Sequence, residues 1–187
     1  MSERIDKLCT SLSAIATEAK DAFGALSANQ LNWRLAEKRW SVAQCFDHLI
    51  TAHSLYFPVF QRLTCEPGHT TMWERYSPLS GFFGRFLIKG LDPTNIKPMK
   101  TTSRGFPSSS DIAGNIIERF AAHQQGVVDH LRKLPPEINP SKRMITSPMM
   151  GLVTYTLDDT FTILDFHCRR HFNQAKRVMD NAGFPRG

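Results

Sequence analysis

The sequence predicts an all-α protein, a four-helix bundle with a long crossover between its second and third helices. Four long stretches repeat apolar residues every three or four positions, the period of an amphipathic helix packed against others. Glycine and proline concentrate in two connections, a long one at 64–109 and a shorter one at 137–151. Because 187 residues suit one domain, residues 1–187 are expected to form a single unit.

The first predicted helix covers residues 2–22. Ser2 is placed to cap its N-terminus and Gly24 to end it. Its buried face consists of Ile5, Leu8, Leu12, Ile15, Ala19 and Phe23 or Ala22.

The second predicted helix has the strongest start signal in the chain. Ser41 is a natural N-cap, and Gln44 at the third helical position completes a capping box. Trp40 precedes the cap and is expected to pack on Cys45 as a hydrophobic staple. Pro58 should kink the helix or end it. The apolar stripe is Val42, Cys45, Leu49, Ala52, Tyr56, Val59 and Leu63.

The long connection at 64–109 contains one apolar segment, residues 82–88, that can form a short helix. One interpretation makes this segment a lid or a membrane-touching piece. The other makes it a crossover that packs over the end of the bundle, and we favour the crossover.

The third predicted helix is capped by Asp111 or by one of Ser108–Ser110, and Pro135–Pro136 stops it. His123 lies in the middle of its apolar face and is expected to be a core histidine bonded to a neighbour; lining a pocket is the alternative. His130 lies at the edge, where it should be solvated. The stripe is Ile112, Ile116, Phe120, His123, Val127, Leu131 and Leu134.

The fourth predicted helix runs from about Leu157 to Asn181. Gly183 and Pro185 follow it and should end it. Its stripe is Leu157, Phe161, Leu164, Cys168, His171, Ala175 and Val178.

Composition narrows the classes of partner. The net charge of +6 and the pI of 9.4 suit an anionic ligand or nucleic acid, but basic residues never exceed a pair such as Lys142–Arg143. No basic helix with interleaved aromatic residues is visible, so nucleic-acid binding is not expected. No apolar run is long enough to cross a membrane.

The N-terminal segment and the cysteines bear on location. Residues 1–24 carry charges throughout and lack an apolar signal core. Four cysteines, with no closely spaced pair, fit reduced thiols rather than a disulfide framework. We therefore expect a cytoplasmic protein.

Three histidines form a candidate metal site. His167 and His171 are four residues apart, so they lie one turn apart on nearly the same helix face. Such a pair can hold a divalent ion when a third ligand joins it, although many such pairs are merely packed or solvated. His48 lies on one flank of the second helix's stripe, aimed at a groove between helices, whereas His53 lies on the opposite flank. The candidate ligand set is therefore His48, His167 and His171.

Three neighbouring residues have simpler explanations. Cys45, one turn before His48, could be a soft ligand, but a small apolar residue in the helix seam is the better interpretation. Arg169 and Arg170 are turned away from the adjacent histidines and are expected to have structural roles at the outer face.

Several motifs of the chain are similar to those of the DinB/YfiT-like superfamily. They are Leu31-Asn32-Trp33-Arg34, the segment from Arg39 to Leu49, the closing His167-x-x-x-His171-x-x-Gln174, and Gly183-Phe184-Pro185. Together they span most of the chain outside the connection at 64–109. One departure is Cys168, which stands where relatives commonly carry a glutamate after the first histidine of the fourth helix.

The resemblance implies a four-helix bundle, often in a homodimer, with a three-histidine site for a divalent metal such as zinc or nickel. The ligands by position would again be His48, His167 and His171. Relatives include thiol-dependent transferases and isomerases that use low-molecular-weight thiols. The leading hypothesis is a metal-dependent thiol-S-transferase or hydrolase that acts on a small molecule, and the alternative is a non-catalytic metal- or ligand-binding stress-response module. The sequence assigns no catalytic residue beyond the metal ligands.

Overall fold

The computed structural model describes residues 2–78, 80–95, 97, 102–108 and 111–186. The helices of the bundle are α1 (Ser2–Phe23), α3 (Val42–Ser54) with α4 (Phe57–Cys65), α7 (Ile116–Arg132) and α8 (Leu157–Met179). A short helix, α2 (Ala28–Asn32), lies between α1 and α3. The predicted all-α bundle is thus confirmed, whereas the Ser2 side chain, which was expected to cap α1, lies outside the described part.

The bundle places α1 and α3 at opposite corners. Helix α1 packs against α7 and α8, and α3 packs against the same two helices. The core between them is a single cluster of buried apolar side chains that includes residues from all four corners. This arrangement puts the inner face of α3 directly against α8, where the candidate metal ligands lie.

The second predicted helix is two helices in the structure. Helix α3 ends at Ser54, and α4 begins at Phe57 with Pro58 in its first turn. Proline is tolerated there because the first N–H groups of a helix have no intrahelical partner. The expected disruption at Pro58 is therefore confirmed, as an end to α3 rather than a kink.

The third helix starts later than predicted. Helix α7 begins at Ile116 behind Asn115, so neither Asp111 nor Ser108 caps it; Ser109 and Ser110 lie outside the described residues. The physical reason is a side chain from α2. The Asn32 amide donates to the Ile112 carbonyl (2.8 Å) and accepts from the Ile112 N–H (3.0 Å), so Ile112 is buried without being helical.

The long crossover packs on the bundle. It contains α5 (Met72–Tyr76), α6 (Ser80–Leu91) and a 3₁₀ turn at Ser103–Gly105. Helix α6 lies against α8 and against the hairpin described below, which agrees with a crossover that packs on the bundle, whereas its predicted place over the end stays a prediction. None of the helices in the described part of the chain is long and apolar enough to cross a membrane.

A small β-hairpin begins within the stretch at 137–151 that was predicted to be rich in turns, and it continues up to α8. Strands β1 (Met144–Thr146) and β2 (Thr154–Thr156) pair antiparallel, with Ile145 opposite Tyr155. Helix α8 follows β2 directly, and Thr156 and Asp159 form its capping box. It ends at Met179, two residues before the predicted Asn181.

Candidate metal centre

His48 is fixed on the inner face of α3. The Ser41 side chain accepts from the Gln44 N–H, and the Gln44 side chain accepts from the Ser41 N–H, so the predicted capping box is present. His48 is buried, and its Nδ1 is bonded to the Gly105 carbonyl. Because a carbonyl only accepts, Nδ1 carries the proton, and in the neutral ring Nε2 is left with a lone pair. That lone pair is what a metal ion requires.

The absence of a side chain at Gly105 leaves room for the His48 ring and for the end of the flexible Met149 side chain. A Cβ at Gly105 would lie 2.7 Å from the Met149 methyl and 3.3 Å from Cε1 of His48. The segment is also tied to α3 farther along, because the Asp47 carboxylate accepts from the Ser108 N–H at 2.7 Å. The last part of the crossover thus helps to set the orientation of the His48 ring.

The structure brings the three predicted ligands together. His167 and His171 are buried on α8, one turn apart, with ring centroids 4.7 Å from each other. Their centroids lie 4.8 and 4.6 Å from that of His48. Nε2 of His48 and Nε2 of His167 are 2.9 Å apart, and one ligand nitrogen from each histidine lies within 4.8 Å of the others.

This geometry fits a divalent ion. Two nitrogens bound to one zinc at about 2.0–2.1 Å lie about 3.3 Å apart at the tetrahedral angle, so the His48 and His167 rings need only a small outward movement. In addition, Nδ1 of His171 is buried without a hydrogen-bond partner in the described structure. Three imidazoles are a donor set that zinc and nickel both accept.

Trp40 packs on the histidines themselves. Its ring stacks on His171 at 5.5 Å between centroids and lies tilted against His48 at 4.9 Å. The staple onto Cys45 stays a prediction, and Trp40 packs against the buried core that includes Cys45. Its ring also contacts two of the three candidate ligands. A partly buried indole at this position restricts both imidazoles to a few orientations.

Burial keeps the site histidines neutral. Desolvation lowers the pKa of His48, although the Gly105 carbonyl and the Asp47 charge oppose the shift. The pKa values of His167 and His171 lie well below the usual range, again because of desolvation first and then the neighbouring histidines and Arg170. Neutral imidazole is the form that binds a metal ion.

One buried histidine beside the site was not in the predicted set. His53 is 1% exposed, and its Nε2 lies 3.2 Å from Nδ1 of His167. On its other side, Nδ1 of His53 is 3.9 Å from the Cys168 sulfur, which lies 3.7 Å from Oε1 of Gln124. From the sequence, His53 lies on the flank of the helix opposite His48 and was not expected near the site. The sequence does not show that α8 contacts both flanks of α3, which brings His53 to His167.

A cavity of about 790 Å³ adjoins the three histidines. Four basic side chains line it, and the described lining residues include no aspartate or glutamate. Two buried tyrosines, Tyr56 and Tyr155, contribute hydroxyls 2.7 Å apart. The basic residues are Lys38, Arg39, Arg170 and Arg177. The cavity therefore suits a small molecule that carries negative charge.

Arg170 does not lie at the outer face as predicted. It is 9% exposed, and its guanidinium donates to the backbone carbonyls of Gly90 (3.2 Å), Asp92 (3.5 Å), Asn95 and Lys97 (2.5 Å). The prediction failed because the segment after α6 packs over this part of α8. Arg169 does have the structural role expected of it, since it pairs with Glu18 of α1 at 2.5 Å.

The remaining candidates behave largely as predicted. Cys45 is fully buried, and burial raises the pKa of its thiol to about 12. His123 is bonded to Ser54 at 2.9 Å, as a core histidine should be. His130, expected to be solvated, is only half-buried and stacks on Phe57 at 4.5 Å. All four cysteines are free.

Comparison with known proteins identifies the family. The family model described as the DinB superfamily matches residues 12–175. The chain belongs to the DinB superfamily. A DinB-like solved structure, YfiT from Bacillus subtilis, covers 99% of this chain and 91% of its own, with a TM-score of 0.58 and 15% identity. It is described as a probable metal-dependent hydrolase with an unusual four-helix bundle topology.

At 15% identity the likeness to YfiT establishes the fold alone. Comparison with curated proteins gives no match. What this member of the DinB superfamily does therefore depends on the residues of its own site.

Proposed function

We propose that this protein is a divalent-metal-dependent enzyme, a thiol-S-transferase or a hydrolase. His48, His167 and His171 would hold one zinc or nickel ion. The observation that carries the proposal is the convergence of three buried, neutral imidazoles from α3 and α8 beside a cavity large enough for a small molecule. The description of YfiT as a probable metal-dependent hydrolase supports the same class of activity.

Three protein ligands are typical of a catalytic rather than a structural zinc site, because a fourth position remains for water or substrate. An ion held in this way lowers the pKa of a bound water or thiol, which supplies a nucleophile at neutral pH. The chain's own contribution is to hold the imidazoles. Gly105 orients His48, and Trp40 packs on His48 and His171.

The proposed substrate is a small anionic molecule, with a low-molecular-weight thiol as one reactant. Lys38, Arg39 and Arg177 are exposed where they line the cavity, so a carboxylate or phosphate can reach them. Arg170 adds a positive charge whose described partners are uncharged carbonyls. Unlike water, a thiol is close to its own pKa at neutral pH and needs little help from a general base.

The alternative function is a non-catalytic metal- or ligand-binding module of a stress response. One observation favours it: no carboxylate lines the described cavity, so the usual acidic general base of a metal-dependent hydrolase is missing there. Of the two proposed enzymatic activities, thiol transfer depends less on a carboxylate base than hydrolysis does.

The proposal also includes the oligomeric state of the protein and its location in the cell. A homodimer is proposed from the family resemblance, and sedimentation velocity of the metal-loaded protein tests it. A cytoplasmic location is proposed with support from four free cysteines, which suit a reducing compartment.

The experiment that tests the function begins with metal analysis of purified protein and a screen of thiols against electrophiles, esters and amides. We expect one divalent ion per chain and turnover that requires a thiol. His171→Ala should lose both, whereas His130→Ala, which removes a histidine stacked on Phe57 outside the centre, should lose neither. Metal binding without turnover on any substrate would favour the binding module. Absence of metal would reject the enzyme and the metal-binding form of the module, and would leave only a module that binds a small ligand.

A further inference from the structure

His53 has no role in the three-histidine centre itself, yet it is one of the least exposed polar side chains of the chain. It lies on α3 five residues after His48, which turns it about 140° around the helix axis. From there its Nε2 reaches Nδ1 of His167 at 3.2 Å. A buried imidazole bonded to the rear nitrogen of a metal ligand is where second-layer partners of metal sites lie.

The direction of this hydrogen bond follows from what His167 must do. To bind an ion through Nε2, the neutral ring needs its proton on Nδ1, so Nδ1 of His167 donates and Nε2 of His53 accepts. His53 then carries its own proton on Nδ1. That tautomer is the less common one for a free histidine in water, and the protein must stabilise it.

Cys168 supplies the partner that the Nδ1–H group of His53 requires. The sulfur lies 3.9 Å from that nitrogen, and the thiol donates in turn to Oε1 of Gln124 at 3.7 Å. Every step of the series from His167 through His53 and Cys168 to Gln124 has one donor and one acceptor. None of the four groups needs to be charged in this arrangement, so no buried charge has to be compensated.

We propose that His53 is a positioning residue that holds His167 in the metal-binding tautomer, and that Cys168 holds His53 in turn. This inference rests on the proposed metal centre. It assigns a purpose to Cys168: in this chain the support behind His167 is an imidazole backed by a thiol rather than a carboxylate. A neutral acceptor at Nδ1 raises the basicity of the His167 ring less than a carboxylate would. His167 then donates less electron density to the bound ion, which stays more electrophilic.

The first test measures zinc affinity by competition with a chromogenic chelator. His53→Leu removes the acceptor and should weaken zinc binding about 10- to 100-fold, the usual effect of losing such a partner. His53→Gln, whose amide oxygen can replace Nε2, should recover most of that loss. His130→Leu is the matched control: it removes a different, half-buried histidine, stacked on Phe57 outside the centre, and should leave zinc affinity unchanged.

The outcomes separate positioning from packing. Equal zinc affinity in His53→Leu and the unaltered protein would overturn the role of His53. Equal losses in His53→Leu and His53→Gln would overturn it as well, since they would indicate packing alone. If the unaltered protein bound no zinc, the metal centre would fail, and the positioning role would fail with it.

The main readout of a second test comes from the unaltered protein, so it does not depend on the folding of a variant. In the zinc-loaded protein with ¹⁵N-labelled histidine, long-range ¹H–¹⁵N correlations report which ring nitrogen of each histidine carries the proton. We expect Nδ1–H for both His167 and His53. Cys168→Ala should leave zinc bound but allow His53 to exchange tautomers. An Nε2–H tautomer of His53 in the zinc-loaded protein would overturn the inference.

Discussion

Single side chains decide whether the centre can bind an ion, because each imidazole must present one nitrogen and have the other occupied. The Gly105 carbonyl occupies Nδ1 of His48, and His53 occupies Nδ1 of His167. The His171 side chain is bonded to that of Gln174 and its ring stacks on Trp40, while its Nδ1 has no hydrogen-bond partner in the described structure. Trp40 is therefore an aromatic support of this candidate ligand, beside its hydrogen bond to Gln174.

Replacing Trp40 should weaken metal binding more than it weakens the fold. Trp40→Ala removes the ring that packs on His48 and His171, and we expect zinc affinity to fall about tenfold, a loss typical of support around a metal ligand. Chelator competition measures this. Trp33→Ala is the control, because Trp33 packs on Phe184 instead and should leave zinc affinity unchanged. Similar losses in both variants would show that the effect is general destabilisation.

His123 should make the metal-free protein less stable in acid. Burial lowers its pKa from 6.5 to about 4, so between those pH values the unfolded chain binds a proton that the folded chain does not. Stability therefore falls as the pH falls from 6.5 towards 4, by at most about 1.4 kcal/mol per pH unit for this one group. His123→Gln should make the decline shallower in urea unfolding at pH 7, 6 and 5. Parallel declines for the two proteins would contradict this.

The sequence could indicate the three candidate ligands but not the residues that support them. The spacing of His167 and His171 and the flank position of His48 are local facts of helix geometry, and they suffice to predict convergence. His53 and Arg170 depend on contacts between distant segments: α8 against both flanks of α3, and the chain after α6 over α8. Periodicity within one helix carries no information on such contacts.

At the scale of the helix, the start of α3 sets the position of His48. The Ser41 side chain is 1% exposed, and its bond to the Gln44 N–H (3.1 Å) satisfies a group that water cannot reach. The Gln44 side chain also reaches the Ser108 carbonyl at 3.4 Å, so this cap helps to tie down the loop that carries Gly105.

Removing this cap should cost more than removing a similar cap elsewhere. Ser41→Ala should lower the free energy of unfolding by about 1–2 kcal/mol. Ser27→Ala, which breaks the same kind of capping box on the exposed five-residue α2, should cost about 0.5–1 kcal/mol. Chemical denaturation of both variants gives the comparison. An equal or smaller cost at Ser41 would indicate that water replaces its hydroxyl.

The elements that were predicted correctly are those with strong local signals. The capping box at Ser41 and the break at Pro58 follow from backbone chemistry within a few residues. The start of α7 and the β1–β2 hairpin were missed because distant partners determine them. Asn32 holds Ile112 out of the helix, and strands of three residues are too short for a visible alternation.

The whole molecule should fold without its metal. Its core is one cluster of buried apolar side chains drawn from every corner of the bundle, unlike that of a small zinc domain. We expect His171→Ala to lose metal binding while keeping its helical content by circular dichroism, with only a modest fall in melting temperature. An unfolded variant would mean that the ion is structural, which would favour the non-catalytic alternative.

X-ray absorption at the zinc edge of the zinc-loaded protein tests the three-histidine centre most directly. We predict one zinc per chain with three imidazole nitrogens at about 2.0–2.1 Å and one further light ligand that added thiol replaces with sulfur at about 2.3 Å. His48→Ala should remove one imidazole from the spectrum or abolish binding. A spectrum with fewer than three imidazoles, or one that no added thiol changes, would contradict an open metal centre built from His48, His167 and His171.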